Sequence, residues 1–199
     1  MKIVVVGGTG TIGSAVSEKL IKEHEVITAS KSTGDYKVDI TSSTSIEQMY
    51  KDIPNIDAVI STTGSSHFGD LSELTPEQNE IAIESKLKGQ VNLVLIGQHY
   101  INERGSFTLT AGIMMEDPIL KGSSAAMANG GVTSFVKSAA IELQRGLRIN
   151  VVSPNVLKES EEKYGAFFKG FDPVPADKVA NAYLKSAAGA QTGQVYRVY

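Results

Sequence analysis

The chain contains no cysteine, which excludes disulfides, thiolate metal sites and cysteine nucleophiles together. Its histidines, His24, His67 and His99, are scattered without ligand spacing, so no metal centre is expected. No apolar run approaches the ~18 residues that a membrane span requires, so no membrane partner is expected. A strand-like pattern begins at residue 2, and no secretory leader is expected ahead of it, so a cytoplasmic location is the expectation. Basic blocks are missing as well. Lys+Arg number 19 against 22 Asp+Glu, a formal net charge of −3, which argues against nucleic acid as a partner. What remains is ordinary globular composition, with 41% hydrophobic and 21% charged residues in 199. One domain over residues 1–199 is expected, able to bury roughly 70% of the surface of its unfolded chain.

The informative stretch is residues 2–16, KIVVVGGTGTIGSAV. Ile3, Val4, Val5 and Val6 are β-branched and apolar on both faces, as a strand inside a parallel sheet must be. Gly7, Gly10 and Gly13 then recur at intervals of three. The first permits a tight turn, the second close approach of a pyrophosphate, and the third packing of a helix on the strand. Thr11 is expected to cap that helix, whose free N–H groups and positive dipole end would face phosphate. Thr9 and Ile12 belong to the same turn. Together these residues point to a dinucleotide.

Apolar alternation predicts strands at 2–6, 25–30, 36–39, 57–61, 106–110, 148–153 and 194–198. Helical periodicity fits 11–23, 43–53, 75–101 with a break near Gly89, 123–145 and 177–187. Strictly alternating elements imply an α/β fold, a doubly wound parallel sheet of seven strands of the Rossmann type. Only Lys31–Asp35 separate the second and third strands, whereas a parallel crossover needs a dozen residues or more. The crossover helix there is expected to be reduced or lost, which opens an adenosine pocket.

With these landmarks the chain resembles the short-chain dehydrogenase/reductase superfamily over essentially its full length. Asp39, in Val38-Asp39-Ile40-Thr41, matches the acidic residue that contacts the adenine ring in that family. Ser61-Thr62-Thr63-Gly64 stands where the family carries Asn-Asn-Ala-Gly. Ala140-Ile141-Glu142-Leu143 and Arg148-Ile149-Asn150-Val151-Val152-Ser153-Pro154 match the end of its fifth helix and its sixth strand, and Thr192-Gly193-Gln194-Val195 its last. The resemblance implies a nicotinamide dinucleotide held by the glycine turn, by Asp39 and Ile40, by Ser61, Thr62, Thr63 and Gly64, and by Pro154 and Val156. The end of the second strand reads Ala29-Ser30-Lys31-Ser32, with no acid to accept a bond from a ribose 2′-hydroxyl. Ser30, Lys31 and Ser32 suit a 2′-phosphate, which favours NADP over NAD; a solvated turn lysine is the other reading.

The same alignment exposes a departure. Complete members of the family carry Tyr-x-x-x-Lys at the start of the fifth helix, and here Ala125 and Asn129 hold those places. The family serine at the end of the fifth strand becomes Ala111 or Gly112, and the asparagine of the fourth helix becomes Lys86. None of the seven tyrosines is followed by lysine four residues on. The chain is therefore similar to short members of the family that keep the glycine turn and lack the usual active-site residues. Positioned acid catalysis contributes about 10²–10⁴-fold, so ordinary alcohol–ketone chemistry at this station is expected to be abolished or severely reduced.

Lys86, Thr110 and Asn129 are the candidates for replacement chemistry, since a desolvated lysine can act as acid or base. A solvated Lys86 and a backbone-satisfying Thr110 are the alternatives. Ser123 and Ser124 are expected to cap the fifth helix, and His67 to sit on a surface loop. Residues 155–176 hold Tyr164, Phe167, Phe168 and Phe171 among glycines and prolines; they form either a mobile lid over an apolar ligand or a pinned loop. Apolar stripes on the fourth and fifth helices suggest a homodimer or homotetramer. Three functions stay open: an oxidoreductase acting on an unknown small molecule without the tyrosine acid, an inactive dinucleotide sensor or scaffold, and a flavin- or quinone-type reductase whose substrate needs little acid help.

Overall fold

In the computed structural model, which describes residues 1–199, the apolar run after Met1 forms β1 (Lys2–Val6) and the glycine turn leads into α1 (Thr11–Leu20). There follow β2 (Glu25–Ser30), β3 (Tyr36–Lys37), α2 (Ser43–Asp52), β4 (Ala58–Ser61) and α3 (Pro76–Ala82). A π turn, Ile83–Lys88, joins α3 to α4 (Gly89–Gly97). Then come β5 (Ser106–Thr110), α5 (Ser123–Glu142), β6 (Arg148–Pro154), α6 (Glu161–Tyr164), α7 (Ala176–Ala188) and β7 (Val195–Val198). All seven strands are parallel, in the order β3-β2-β1-β4-β5-β6-β7. The order reverses between β1 and β4, so the crevice at their carboxyl ends is the place where such a sheet takes ligands.

Both faces of the sheet are covered, and β1 shows how. Val4 and Val6 enter the core shared with α2, α4 and α5, where Met49, Leu93 and Val132 lie. Ile3 and Val5 enter the opposite core with Val16 and Leu20 of α1 and Val179 and Tyr183 of α7. A strand wanted by two cores has no use for polar side chains, which is why its sequence does not alternate.

The crossover between β2 and β3 is lost. The chain rises along β2, turns back through Gly34 at φ +93°, and climbs again for only two residues paired with Ala29 and Ser30. Asp35 substitutes for missing sheet bonds: its carboxylate accepts from Thr28 N at 2.9 Å and from Thr28 Oγ1 at 2.7 Å. The third strand accordingly ends at Lys37 rather than at 39.

Three local expectations are corrected. Thr11 does not cap α1; Gly10 is the N-cap, extended at φ −81° and ψ 175°. Its carbonyl accepts the first helical bond from Ser14 N, which puts Thr11 inside the first turn. Ser123 and Ser124 are likewise inside α5, because Gly122 is its N-cap and bonds Ala126 N. Gly89 does not break the long helix. Its φ of −57° and ψ of −46° are helical, and its missing side chain admits Ile40 instead. The irregularity is the π turn just before it. No helix is long and apolar enough to cross a membrane.

Gly13 fixes the distance between α1 and the turn. A Cβ there would lie 2.0 Å from the Gly7 carbonyl oxygen, a backbone atom that cannot swing aside. Gly13→Ala is therefore expected to destabilise the fold by about 3 kcal/mol, lowering a thermal midpoint by about 6–12 °C. An unchanged melt would remove the close approach from the argument.

Candidate functional site

The carboxyl ends of β1, β2 and β4 open onto a cleft of about 540 Å³. Gly7, Thr9, Gly10, Ser30, Lys31, Asp39, Ile40, Thr62, Thr63 and Gly64 line it. Val6 and Val38 also line it, and so do Thr41, Ser65, Ile81, Glu84 and Ser85, which the sequence does not single out. Thr11, Gly13 and Ser32 are outside this lining, and Ser61 is buried beneath it with its hydroxyl 2.8 Å from Thr63 Oγ1.

The two glycines of the turn that line the cleft differ in what surrounds them. Gly7 turns at φ +85°, and a Cβ on it would meet Thr63 Cγ2 at 2.7 Å. A Cβ on Gly10 would meet nothing closer than the Gly7 carbonyl oxygen at 3.4 Å. The first is glycine because the protein crowds it; the second faces open space that a ligand can enter. The N–H groups of the first turn of α1 have no intrahelical partners and carry the positive end of its dipole.

At the far end of this cleft Lys31 Nζ lies 2.8 Å from Asp39 Oδ2. That contact, reinforced by bonds from Thr41 to Asp39 Oδ1, holds the Asp39 carboxyl down at about 2. Ser30 Oγ accepts from Thr33 N, and Thr9 Oγ1 meets Thr33 Oγ1 at 3.0 Å, so the short β2–β3 loop folds over this end.

Beyond the glycine turn two adjoining cavities, of about 230 and 330 Å³, share Phe68, Lys86, Ala111, Met114 and Tyr164 as a common wall. The first is mainly apolar and includes Ile12, Pro154, Val156 and Phe168. The second adds Ser65, Ser66, Ala125 and Asn129. Lys86 reaches both because its stem lies across Gly64, where φ is +130° and a Cβ would sit 2.7 Å from Lys86 Cγ. No carboxylate pairs with this ammonium, and burial alone lowers it to about 8. Glu84 and Lys88, on the same turn, pair with each other.

The other candidates are placed differently. The Thr110 hydroxyl is 2.6 Å from Tyr183 OH and 2.5 Å from the Ser61 carbonyl oxygen, so it braces strand ends and is not free. Asn129 is fully buried with neither carboxamide atom bonded. Gly112 makes room for it, since a Cβ there would be 3.0 Å from Asn129 Nδ2. Ala111 and Ala125 present only methyl groups to the cavities. His67 lies on none of these walls. Aromatic rings of the segment 155–176 pack on one another and on Phe68: Phe168 meets Phe171 edge-on at 5.5 Å, and Phe68 packs on Tyr164 and Phe167 at 5.9 and 5.7 Å. Phe68 went unnoticed in the sequence because it sits in a loop without periodicity.

Comparison with known proteins agrees with this architecture. A family model described as enoyl-(acyl carrier protein) reductase matches residues 8–196. The solved structure of the protein lin1944 from Listeria innocua is 61% identical, covers 100% of both chains and superposes with a TM-score of 0.98. A small-chain dehydrogenase in complex with NADPH is 27% identical over 100% of this chain and 96% of its own, with a TM-score of 0.90. Another small-chain dehydrogenase is 28% identical over 100% and 95% of the two chains, with a TM-score of 0.86. No curated protein matches the chain.

Proposed function

The chain belongs to the short-chain dehydrogenase/reductase superfamily, and from that premise we propose that it is an NADPH-dependent reductase whose proton comes from Lys86. The observation that carries this reading is the placement of Lys86. It is an ammonium without a counter-ion, on the wall of a cavity that also holds Ala125, where the sequence resemblance places the family tyrosine. The dinucleotide, when bound, supplies a hydride. Gly7, Gly10 and the first turn of α1 hold its diphosphate, and Asp39 and Ile40 border the adenine. Lys31 with Ser30 receives the 2′-phosphate, and Pro154 and Val156 border the nicotinamide end. Lys86 then donates a proton to the oxygen on which negative charge develops, and the apolar wall of Ile113, Val156 and Phe168 keeps water from competing. The lining suits a small, apolar carbonyl or quinone.

The test is calorimetric titration with NADPH and NADH, followed by NADPH oxidation with carbonyl, quinone and flavin substrates. Turnover that Lys86→Ala abolishes supports the reading. Tight NADPH binding with no turnover in any class would make the protein a dinucleotide sensor. Turnover indifferent to Lys86 would remove its role as acid.

Cofactor choice has its own test. Lys31 is exposed, and an exposed charge contact is worth about 1 kcal/mol. Lys31→Ala is expected to weaken NADPH about fivefold and to leave NADH unchanged. Equal losses for both would count against a 2′-phosphate contact.

A further inference from the structure

The π turn that carries Lys86 is fastened from inside by one side chain. Gln90 is fully buried. Its Nε2 donates to the Lys86 carbonyl at 2.9 Å and to the Thr110 carbonyl at 2.8 Å, while its Oε1 accepts from Thr110 N at 2.8 Å. Both N–H bonds and the carbonyl of the amide are thus used, which a buried glutamine requires. The bonds to Thr110 imitate a neighbouring strand at the end of β5. The bond to Lys86 ties the π turn to that strand end.

The turn also sits in relief cut by glycines. Lys86 lies across Gly64, and a Cβ on Gly131 would meet Leu87 Cδ1 at 2.9 Å. A π turn carries one extra residue, and slipping it out rotates the side chains ahead by about 100°. Such a slip would swing Lys86 from the cavity toward the solvent face, where Glu80, Glu84 and Lys88 form ion pairs. On the cavity side the only other titratable group on the walls is Tyr164.

We propose that Gln90 is a positioning residue: by bonding the Lys86 carbonyl to the end of β5 it holds the π turn in the register that points Lys86 into the cavity. The catalytic consequence rests on the reading of Lys86 as proton donor, but the placement itself does not.

The experiment measures the reactivity of Lys86 toward trinitrobenzenesulfonate against pH, with peptide mapping to isolate that residue, in the full-length protein. Gln90→Met removes all three bonds. Gln90→Asn keeps the amide but is one methylene too short to span Thr110 and Lys86, and it introduces no charge. Both variants are expected to raise the labelling midpoint by about one pH unit or more. They are also expected to lower kcat about tenfold to a hundredfold with KM for NADPH unchanged. Should Gln90→Met fail to fold, Gln90→Asn decides alone. A wild-type midpoint in the folded variants overturns the proposal. A moved midpoint together with turnover that survives Lys86→Met would sink the proton-donor reading and leave the positioning role standing.

Discussion

Lys86→Met is expected to leave a protein that is more stable and nearly inactive. The catalytic half follows from the loss of a positioned acid, about 10²–10⁴-fold in kcat, with NADPH affinity unchanged because the residues proposed to hold the diphosphate and adenine lie elsewhere in the cleft. The wild-type rate should be flat at neutral pH and fall about tenfold per unit above a midpoint near 8, since the ammonium is the competent form and burial holds it there. Residual activity in the methionine variant should lose that limb. A variant whose rate still fell above pH 8 would assign the titration to another group.

The stability half has a definite sign. Lys86 falls from 10.5 in the open chain to about 8 in the fold. Between those values the unfolded chain binds the extra proton, so wild-type stability rises with pH across that window. Below 8 both states are charged and the full burial penalty is present. Allowing for the partial exposure of the side chain, about 2 kcal/mol is recovered when methionine replaces the charge at pH 7. That is a rise of about 4–8 °C in melting midpoint, shrinking toward zero as the pH approaches 10.5. A methionine variant that melted lower than wild type at pH 7 would mean the ammonium has a partner in the folded protein.

A charge kept at the expense of stability is where local sequence rules and the fold disagree, and such disagreements gather at functional sites. Most of the architecture was readable because it depends on short-range patterns. The run Ile3–Val6 states a doubly buried strand, and the interval of five residues between β2 and β3 states a missing helix. The cap of α1 was misplaced by one residue because a threonine beside a glycine offers a side-chain cap that the extended Gly10 makes unnecessary. The π turn was invisible for a different reason: six residues are too few to separate its period from that of an α-helix. Its anchor, Gln90, reaches Thr110 across 20 residues of chain, and nothing in the sequence states that contact. Lys86 could be placed only through the family resemblance, and its isolation from every carboxylate only through the fold. Phe68 and Tyr164 meet across the cavity from a loop and from the four-residue α6, neither of which carries a periodic signal.

Gly10→Val separates binding from folding more cleanly than any other substitution in the turn. Gly7 has a positive φ, and at Gly13 a side chain would strike backbone at 2.0 Å, so changes at either confound ligand loss with damage to the fold. Gly10 has ordinary extended dihedrals and an open Cβ direction. Valine tolerates such dihedrals, and losing glycine from the N-cap of α1 costs about 1 kcal/mol, so the melting midpoint should fall by only about 2–4 °C. The isopropyl group would nevertheless project over the amides of the first turn of α1, the proposed seat of the diphosphate. Loss of two or more charge-assisted bonds there, each worth about 1.5–3 kcal/mol, predicts NADPH affinity at least a hundredfold weaker. NADH should weaken by the same factor, because the two share the diphosphate and differ only at the 2′-phosphate, which the proposed function assigns to Lys31. Calorimetry on a variant first shown to be folded supplies the measurement. Undiminished affinity in that folded variant would mean that nucleotide does not lie on the glycine turn, and the assignments of Lys31, Asp39 and Lys86 to parts of a bound dinucleotide would fall with it.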